Sequence, residues 1–333
     1  MSDPLELTRR LVAVETPTWG ENPATDILEE HLRGLGYGVT RQPVVGGRAN
    51  LYAFREEPEV VFSTHLDCVP PYLPLREDDE FIHGRGSCDA KGLAAAMVAA
   101  AERLAEGGER RIGLLFVVGE EDGSHGAYAA ADLEPKGRWL INGEPTDNIL
   151  TIGQKGALRV DLHATGRAAH SAYPDEGESA IMPLLETIAR VQALKLPSDP
   201  LLGAPTMNLG TIEGGVAPNV IPPAARAQIL IRTVGPTDEL KRLVTAQAAP
   251  SVTITFPVEL PAYKGTAPAG WKTRVVSFAS DLPFYTAWGG LYQLGPGSIR
   301  VAHTDQERIS KRELMDGVDL YVRLARDLLA GPA

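Results

Sequence analysis

His65, Asp67, Asp89, Glu120, Glu121, Glu144 and His303 are the residues of this chain whose types and placement could do chemistry. Most of them follow the ends of short apolar runs. Val60-Val61-Phe62-Ser63-Thr64 leads into His65-Leu66-Asp67, and Ile112-Gly113-Leu114-Leu115-Phe116-Val117-Val118-Gly119 leads into Glu120-Glu121-Asp122. Trp139-Leu140-Ile141-Asn142 leads to Glu144, and Leu291-Tyr292-Gln293-Leu294 leads through Gly295-Pro296-Gly297 to His303. Short continuous apolar runs are the pattern of strands buried on both faces. In open α/β sheets the ligand crevice lies beyond the carboxyl ends of the strands. Acids and histidines gathered at several strand ends therefore converge on one site.

Imidazole nitrogen and carboxylate oxygen suit hard or borderline divalent ions, and zinc accepts both. Two histidines with three carboxylates (Asp89, Glu121, Glu144) suit a two-metal site in which one carboxylate bridges. Such a pair, about 3.5–4 Å apart, polarises a carbonyl and activates a water. Glu120 and Glu121 then divide roles, because adjacent residues cannot easily share one coordination position. One binds metal while the other takes the proton from the water and delivers it to a leaving amine. The strand-like spacing of His65 and Asp67 puts both side chains on one face, where Asp67 could accept the second ring N–H of His65. Taken singly, His65 after a strand reads as structural and Glu120-Glu121-Asp122 as a solvated turn. Their conjunction at several strand ends is what argues for metal.

The elements that must position these residues follow from periodicity. Helical spacing covers 4–14 and 23–35, the latter stopping at Gly36. Strands are expected near 37–42, 49–54 and 59–64, then a Pro-rich loop at 69–75 and an Ala-rich helix over 91–106. A strand at 112–119, a helix near 124–132 and a strand at 138–142 follow. This alternation predicts an α/β fold with a mostly parallel sheet flanked by helices. Residues 156–164 then alternate apolar and polar, and a helix at 178–193, strands at 206–212 and 225–233, a helix at 237–247 and a strand at 251–256 complete an α+β sandwich. A helix at 272–280, a strand at 290–294 and an amphipathic helix at 310–330 return to the first pattern. The simplest organisation is a discontinuous catalytic domain, 1–155 and 263–333, with 156–262 inserted as a second domain.

Composition narrows the function. The 333 residues are 44% hydrophobic and 23% charged, ordinary for a globular protein. With 32 basic against 43 acidic residues, the net charge of −11 argues against nucleic-acid and anionic-membrane partners. No run reaches the roughly 18 apolar residues of a membrane span, and no signal-peptide pattern opens the chain, so a cytoplasmic location is expected. The two cysteines, Cys68 and Cys88, read as buried thiols rather than a disulfide.

Three segments carry a resemblance: Ser63-Thr64-His65-Leu66-Asp67-Cys68-Val69-Pro70, Gly84-Arg85-Gly86-Ser87-Cys88-Asp89-Ala90-Lys91-Gly92 and Gly119-Glu120-Glu121. In order and spacing they resemble the zinc aminoacylase and carboxypeptidase family, which includes acetylornithine deacetylase, succinyl-diaminopimelate desuccinylase, aminoacylase and glutamate carboxypeptidase. The resemblance implies that His65 and Glu144 hold one zinc, Glu121 and His303 the other, and Asp89 bridges; cobalt or manganese are possible substitutes. It implies Glu120 as general base, Asp67 as the carboxylate behind His65, and a cis peptide after Asp89. The inserted unit matches the family's lid and dimerisation domain, so a homodimer is expected. Gly166-Arg167-Ala168-Ala169-His170-Ser171-Ala172-Tyr173-Pro174 resembles its histidine loop, which implies that His170 stabilises an oxyanion in a partner subunit's site. Gly214-Gly215-Val216-Ala217-Pro218-Asn219-Val220-Ile221-Pro222 also matches, with Asn219 at the substrate. Arg232 is a candidate clamp for a substrate carboxylate, which a guanidinium binds bidentately.

The segment Gly295-Pro296-Gly297-Ser298-Ile299-Arg300-Val301-Ala302-His303 resembles the acetylornithine and acetylcitrulline deacetylase branch, with Gly297 counted as a substrate contact. The expected reaction is removal of an N-acyl group, acetyl first, from an amino acid of arginine biosynthesis, as in acetylornithine or acetylcitrulline. A dipeptidase, carboxypeptidase or desuccinylase is the first alternative. A non-catalytic binding protein on the same scaffold would be expected to lack the base or a ligand, and here all are present.

Overall fold

A computed structural model describes residues 3–331, which form two compact units. The first takes in the chain up to Ile152, then Gly265–Arg274, then the chain from Ser280 on; the second is Gly153–Lys264 with Val275–Ala279.

The first unit opens with α1 (Pro4–Val12) and α2 (Asn22–Gly34). Asp3 caps α1 by accepting the Leu5 N–H at 2.9 Å, with Pro4 at the first helical position. β1 (Gly38–Val44) and β2 (Arg48–Phe54) are joined by residues 45–47 alone and pair as an antiparallel hairpin. β3 (Val60–His65), β4 (Arg76–Glu77), β5 (Phe81–His83), α3 (Lys91–Glu106) and β6 (Ile112–Val117) follow. Then come α4 (His125–Ala130), β7 (Trp139–Asn142) and β8 (Leu150–Gln154).

The second unit contains β9 (Gly156–Thr165), α5 (Ile181–Gln192), β10 (Thr206–Gly214), β11 (Ala224–Thr233), α6 (Asp238–Thr245), β12 (Val252–Leu260) and β13 (Tyr263–Lys264). Its antiparallel sheet has the order β10-β11-β9-β12. Along β9 and β11 buried and exposed residues alternate, and Leu184, Ile188 and Val191 of α5 join the buried set in one core.

The helix expected at 272–280 is instead β14 (Thr273–Val276) followed by irregular chain. Thr273, Val275 and Val276 are β-branched, which favours extended backbone, and Val276 O accepts the Lys155 N–H at 3.2 Å. β15 (Gly290–Gln293), β16 (Arg308–Ser310) and α7 (Lys311–Leu329) complete the chain, Ser310 capping α7.

The large sheet of the first unit runs β1-β2-β6-β3-β7-β15-β8. Parallel pairing is confined to its central four strands, β6-β3-β7-β15; the flanks are antiparallel, so the sheet is mixed rather than mostly parallel. Leu93, Ala94, Met97, Val98 and Leu104 of α3 are buried with Leu7 and Leu11 of α1 and with Leu314, Val318 and Leu328 of α7. The alanines of α3 let these helices approach closely, as a helix buried all round requires. Cys68 and Cys88 are buried free thiols. Among the described residues no helix is long and apolar enough to cross a membrane.

Candidate metal centre

Because β6, β3, β7 and β15 run parallel, their carboxyl ends lie along one edge of the sheet. His65 is the last residue of β3. Past β6 the chain turns at Gly119, whose φ is 75°; a Cβ there would stand 2.6 Å from a guanidinium nitrogen of Arg48, so the turn needs glycine. Glu120 and Glu121 follow that turn. Glu144 stands just beyond β7, and Asp89 sits ahead of α3, with a cis peptide to Ala90. His303 lies between β15 and β16 with φ 60°, a conformation that costs a non-glycine residue about 1–3 kcal/mol and recurs at functional sites.

These residues meet. His65 Nε2 is 3.1 Å from Asp89 Oδ1. His303 Nε2 is 3.3 Å from the other oxygen, Asp89 Oδ2, and 2.9 Å from Glu121 Oε1. Two triads result, His65–Asp89–Glu144 and Asp89–Glu121–His303, in each of which one ligand atom per residue lies within 4.8 Å of the others. Asp89 belongs to both.

The charges of these residues act strongly on one another. Burial pushes Glu120 and Glu144 well above the usual carboxylate range; His65 opposes this, while neighbouring acids add to it. Burial also raises Glu121. Asp89 goes the other way: burial would raise it, but the hydrogen bonds of His303 and His65 hold it below the ordinary value. Hydrogen bonds to Asp89 and Glu121 push His303 up to about 10. Asp67, Asp89, Glu120, Glu121 and Glu144 thus crowd together against two imidazoles. Divalent cations are the counter-charge that such a nitrogen and oxygen donor set fits.

Asp67 does more than its spacing suggested. His65 Nδ1 lies 3.0 Å from the main-chain carbonyl oxygen of Asp67, while the carboxylate stands at 3.5 Å. The carboxylate also accepts the N–H groups of Glu120 at 3.1 Å and Glu121 at 3.0 Å and the Thr18 hydroxyl at 2.9 Å. Burial would raise its pKa, yet His65 and these donors hold it lower than usual. Asp67 therefore pins the turn that carries both glutamates.

Gly297, with φ 88°, lies against Cys88: an added Cβ would meet the Cys88 sulfur at 2.8 Å. In the second unit, Ser171 N–H donates to Asn219 O at 3.0 Å and His170 bridges to Val220, so two distant segments form one loop pair. His170 Nδ1 accepts the Ala172 N–H at 3.1 Å. In the neutral ring the proton then resides on Nε2, making that atom a donor. Arg232, half-buried, pairs with Ala157 and Thr206 at the other end of β11. The eight steps from Ala224 to Arg232 span about 26 Å at ~3.3 Å each.

Two buried acids escaped sequence reasoning. Asp281 is buried, and burial pushes its carboxyl up to about 7, with His65, Asp67 and Glu121 close enough to bear on it. Glu307 is buried and accepts the N–H of Asp89. Neither follows an apolar run; only the position of Glu307, four residues past His303, could have drawn attention to it.

A mixed α/β fold with an acid–histidine cluster at its parallel strand ends defines a metallohydrolase-like class. Residues 61–327 match the family described as "Peptidase family M20/M25/M40". A peptidase M20 domain-containing protein of Schizosaccharomyces pombe is 37% identical over 96% of this chain and 83% of its own length. A probable carboxypeptidase of Aspergillus clavatus is 35% identical over 98% of this chain and 82% of its own. The chain belongs to peptidase family M20/M25/M40, a family of hydrolases. Among solved structures, a tripeptidase from Staphylococcus aureus aligns with a TM-score of 0.79 at 22% identity, covering 97% of this chain and 98% of that one. An M20 family metallo-carboxypeptidase from Sulfolobus solfataricus gives 0.79 at 15% identity, with the same coverage. At these identities the two structures speak for the fold.

Proposed function

We propose that the protein is a co-catalytic two-metal hydrolase that cleaves a linear amide next to a free amino-acid carboxylate, as a carboxypeptidase or dipeptidase does. The observation that carries this reading is the sharing of Asp89 between two ligand triads, with Glu120 left outside both. His65 and Glu144 would hold one ion, Glu121 and His303 the other, and zinc fits this donor set. When bound, the two ions polarise the scissile carbonyl and acidify the attacking water. Glu120 accepts the proton of that water and returns it to the departing amine nitrogen. Asp67 keeps Glu120 and Glu121 in register through their N–H groups. Relatives named as probable carboxypeptidases support the carboxylate-adjacent bond. The segment 295–303 supports a second reading, removal of an N-acetyl group from an amino acid. A hydrolysis screen with added zinc, over dipeptides, N-acetyl and N-succinyl amino acids and C-terminally amidated dipeptides, tests both. Turnover of free-acid dipeptides and none of their amides is expected; equal turnover of the amides contradicts the reading.

His170, as an Nε2–H donor to the oxyanion, and Asn219 and Arg232, as substrate contacts, complete the proposal. A dipeptide spans about 7 Å, far less than β11, which favours His170 and Arg232 reaching one substrate from two chains. A homodimer supplies them. The exposed edge strand β10 and the exposed Met182, Leu185 and Ile212 support self-association of the second unit. His170→Ala is expected to lower kcat by about 10²–10³-fold, with metal content and dimer mass unchanged. Heterodimers of Glu120→Gln and His170→Ala chains should recover activity; verified heterodimers without recovery would show that each site uses its own histidine.

A further inference from the structure

We propose that Glu307 is a positioning residue for Asp89, holding the loop that presents the shared carboxylate through main-chain hydrogen bonds; this rests on the reading of Asp89 as the bridging ligand. One oxygen of Glu307, Oε1, accepts three N–H groups of the loop: Gly86 at 2.8 Å, Cys88 at 3.3 Å and Asp89 itself at 3.2 Å. The other oxygen accepts from the Arg85 guanidinium at 2.5 Å, and both side chains are almost fully buried. Arg85 also donates to the Thr304 carbonyl, and Gly84 N–H donates to Glu307 O. The segment 303–307 is thereby locked to the segment 84–89. Both ends of that lock carry ligand candidates, His303 and Asp89. One oxygen of this buried carboxylate is given over to fixing backbone, so an ordinary stabilising ion pair between the other oxygen and Arg85 leaves most of its contacts unexplained. Groups that orient ligands in this way typically govern affinity by about 10–100-fold.

The experiment is zinc binding by chelator competition on the dimer or monomer as purified, with circular dichroism to establish folding, for wild type, Asp89→Ala, Glu307→Ala, Glu307→Asp and Glu307→Gln. Glu307→Ala is expected to weaken both zinc ions about 10–100-fold. Glu307→Asp, which keeps the charge facing Arg85 but withdraws the oxygen from the three N–H groups, should weaken them in the same direction. Glu307→Gln retains an acceptor oxygen and should recover most of the affinity. A folded Glu307→Asp protein with wild-type affinity for both ions overturns the inference, whether or not Glu307→Ala folds. A wild type that binds one ion, or an Asp89→Ala protein that still binds two tightly, overturns the bridging reading instead.

Discussion

Glu120→Gln is expected to bind two metal ions as wild type does and to lose about 10²–10⁴-fold in kcat, the usual share of a general base. The amide is isosteric with the carboxylate but cannot take a proton. Neither ligand triad includes Glu120, so removing its charge leaves both intact. The turn also survives, because Asp67 holds residue 120 through its main-chain N–H rather than its side chain. Single-turnover hydrolysis and metal analysis on one preparation separate the two effects. A variant that loses metal in proportion to its activity would make Glu120 a ligand; one that hydrolyses at the wild-type rate would remove it from the chemistry.

Asp89→Ala is expected to do the opposite, abolishing turnover by emptying both sites. Each oxygen of Asp89 faces a different histidine, Oδ1 toward His65 and Oδ2 toward His303. Losing either His65 or His303 should weaken mainly one ion, whereas losing Asp89 should weaken both. Equilibrium dialysis against zinc provides the measurement: Asp89→Ala near zero bound ions, His303→Ala near one. Asp89→Ala retaining one tightly bound ion would confine Asp89 to a single site.

Much of the centre was legible because buried parallel strands leave continuous apolar runs, and the residues just past such runs share one edge of the sheet. That argument reached His65, Glu121, Glu144 and His303 without any knowledge of contacts. The two antiparallel flanks of the sheet were not legible in the same way, since a buried strand has the same composition whichever way its neighbours run. The segment 272–280 reads as helix in the sequence because nine residues of mixed polarity have no decisive period, and β-branching at Thr273, Val275 and Val276 favours the strand. Asp67 shows the limit of local spacing. Its distance along the chain from His65 suggested a ring contact but not the N–H groups of Glu120 and Glu121 that its oxygens also accept, because only tertiary structure brings those near. Asp281 was illegible for the same reason, and Glu307 nearly so: an acid in a loop declares itself mainly by what surrounds it.

The central claim is a pair of cations sharing Asp89, and anomalous diffraction from crystals grown with zinc tests it most directly. The account predicts two anomalous peaks about 3.5–4 Å apart, one against His65 and Glu144, the other against Glu121 and His303, with an oxygen of Asp89 on each. A single peak, or two peaks of which only one touches Asp89, would contradict it.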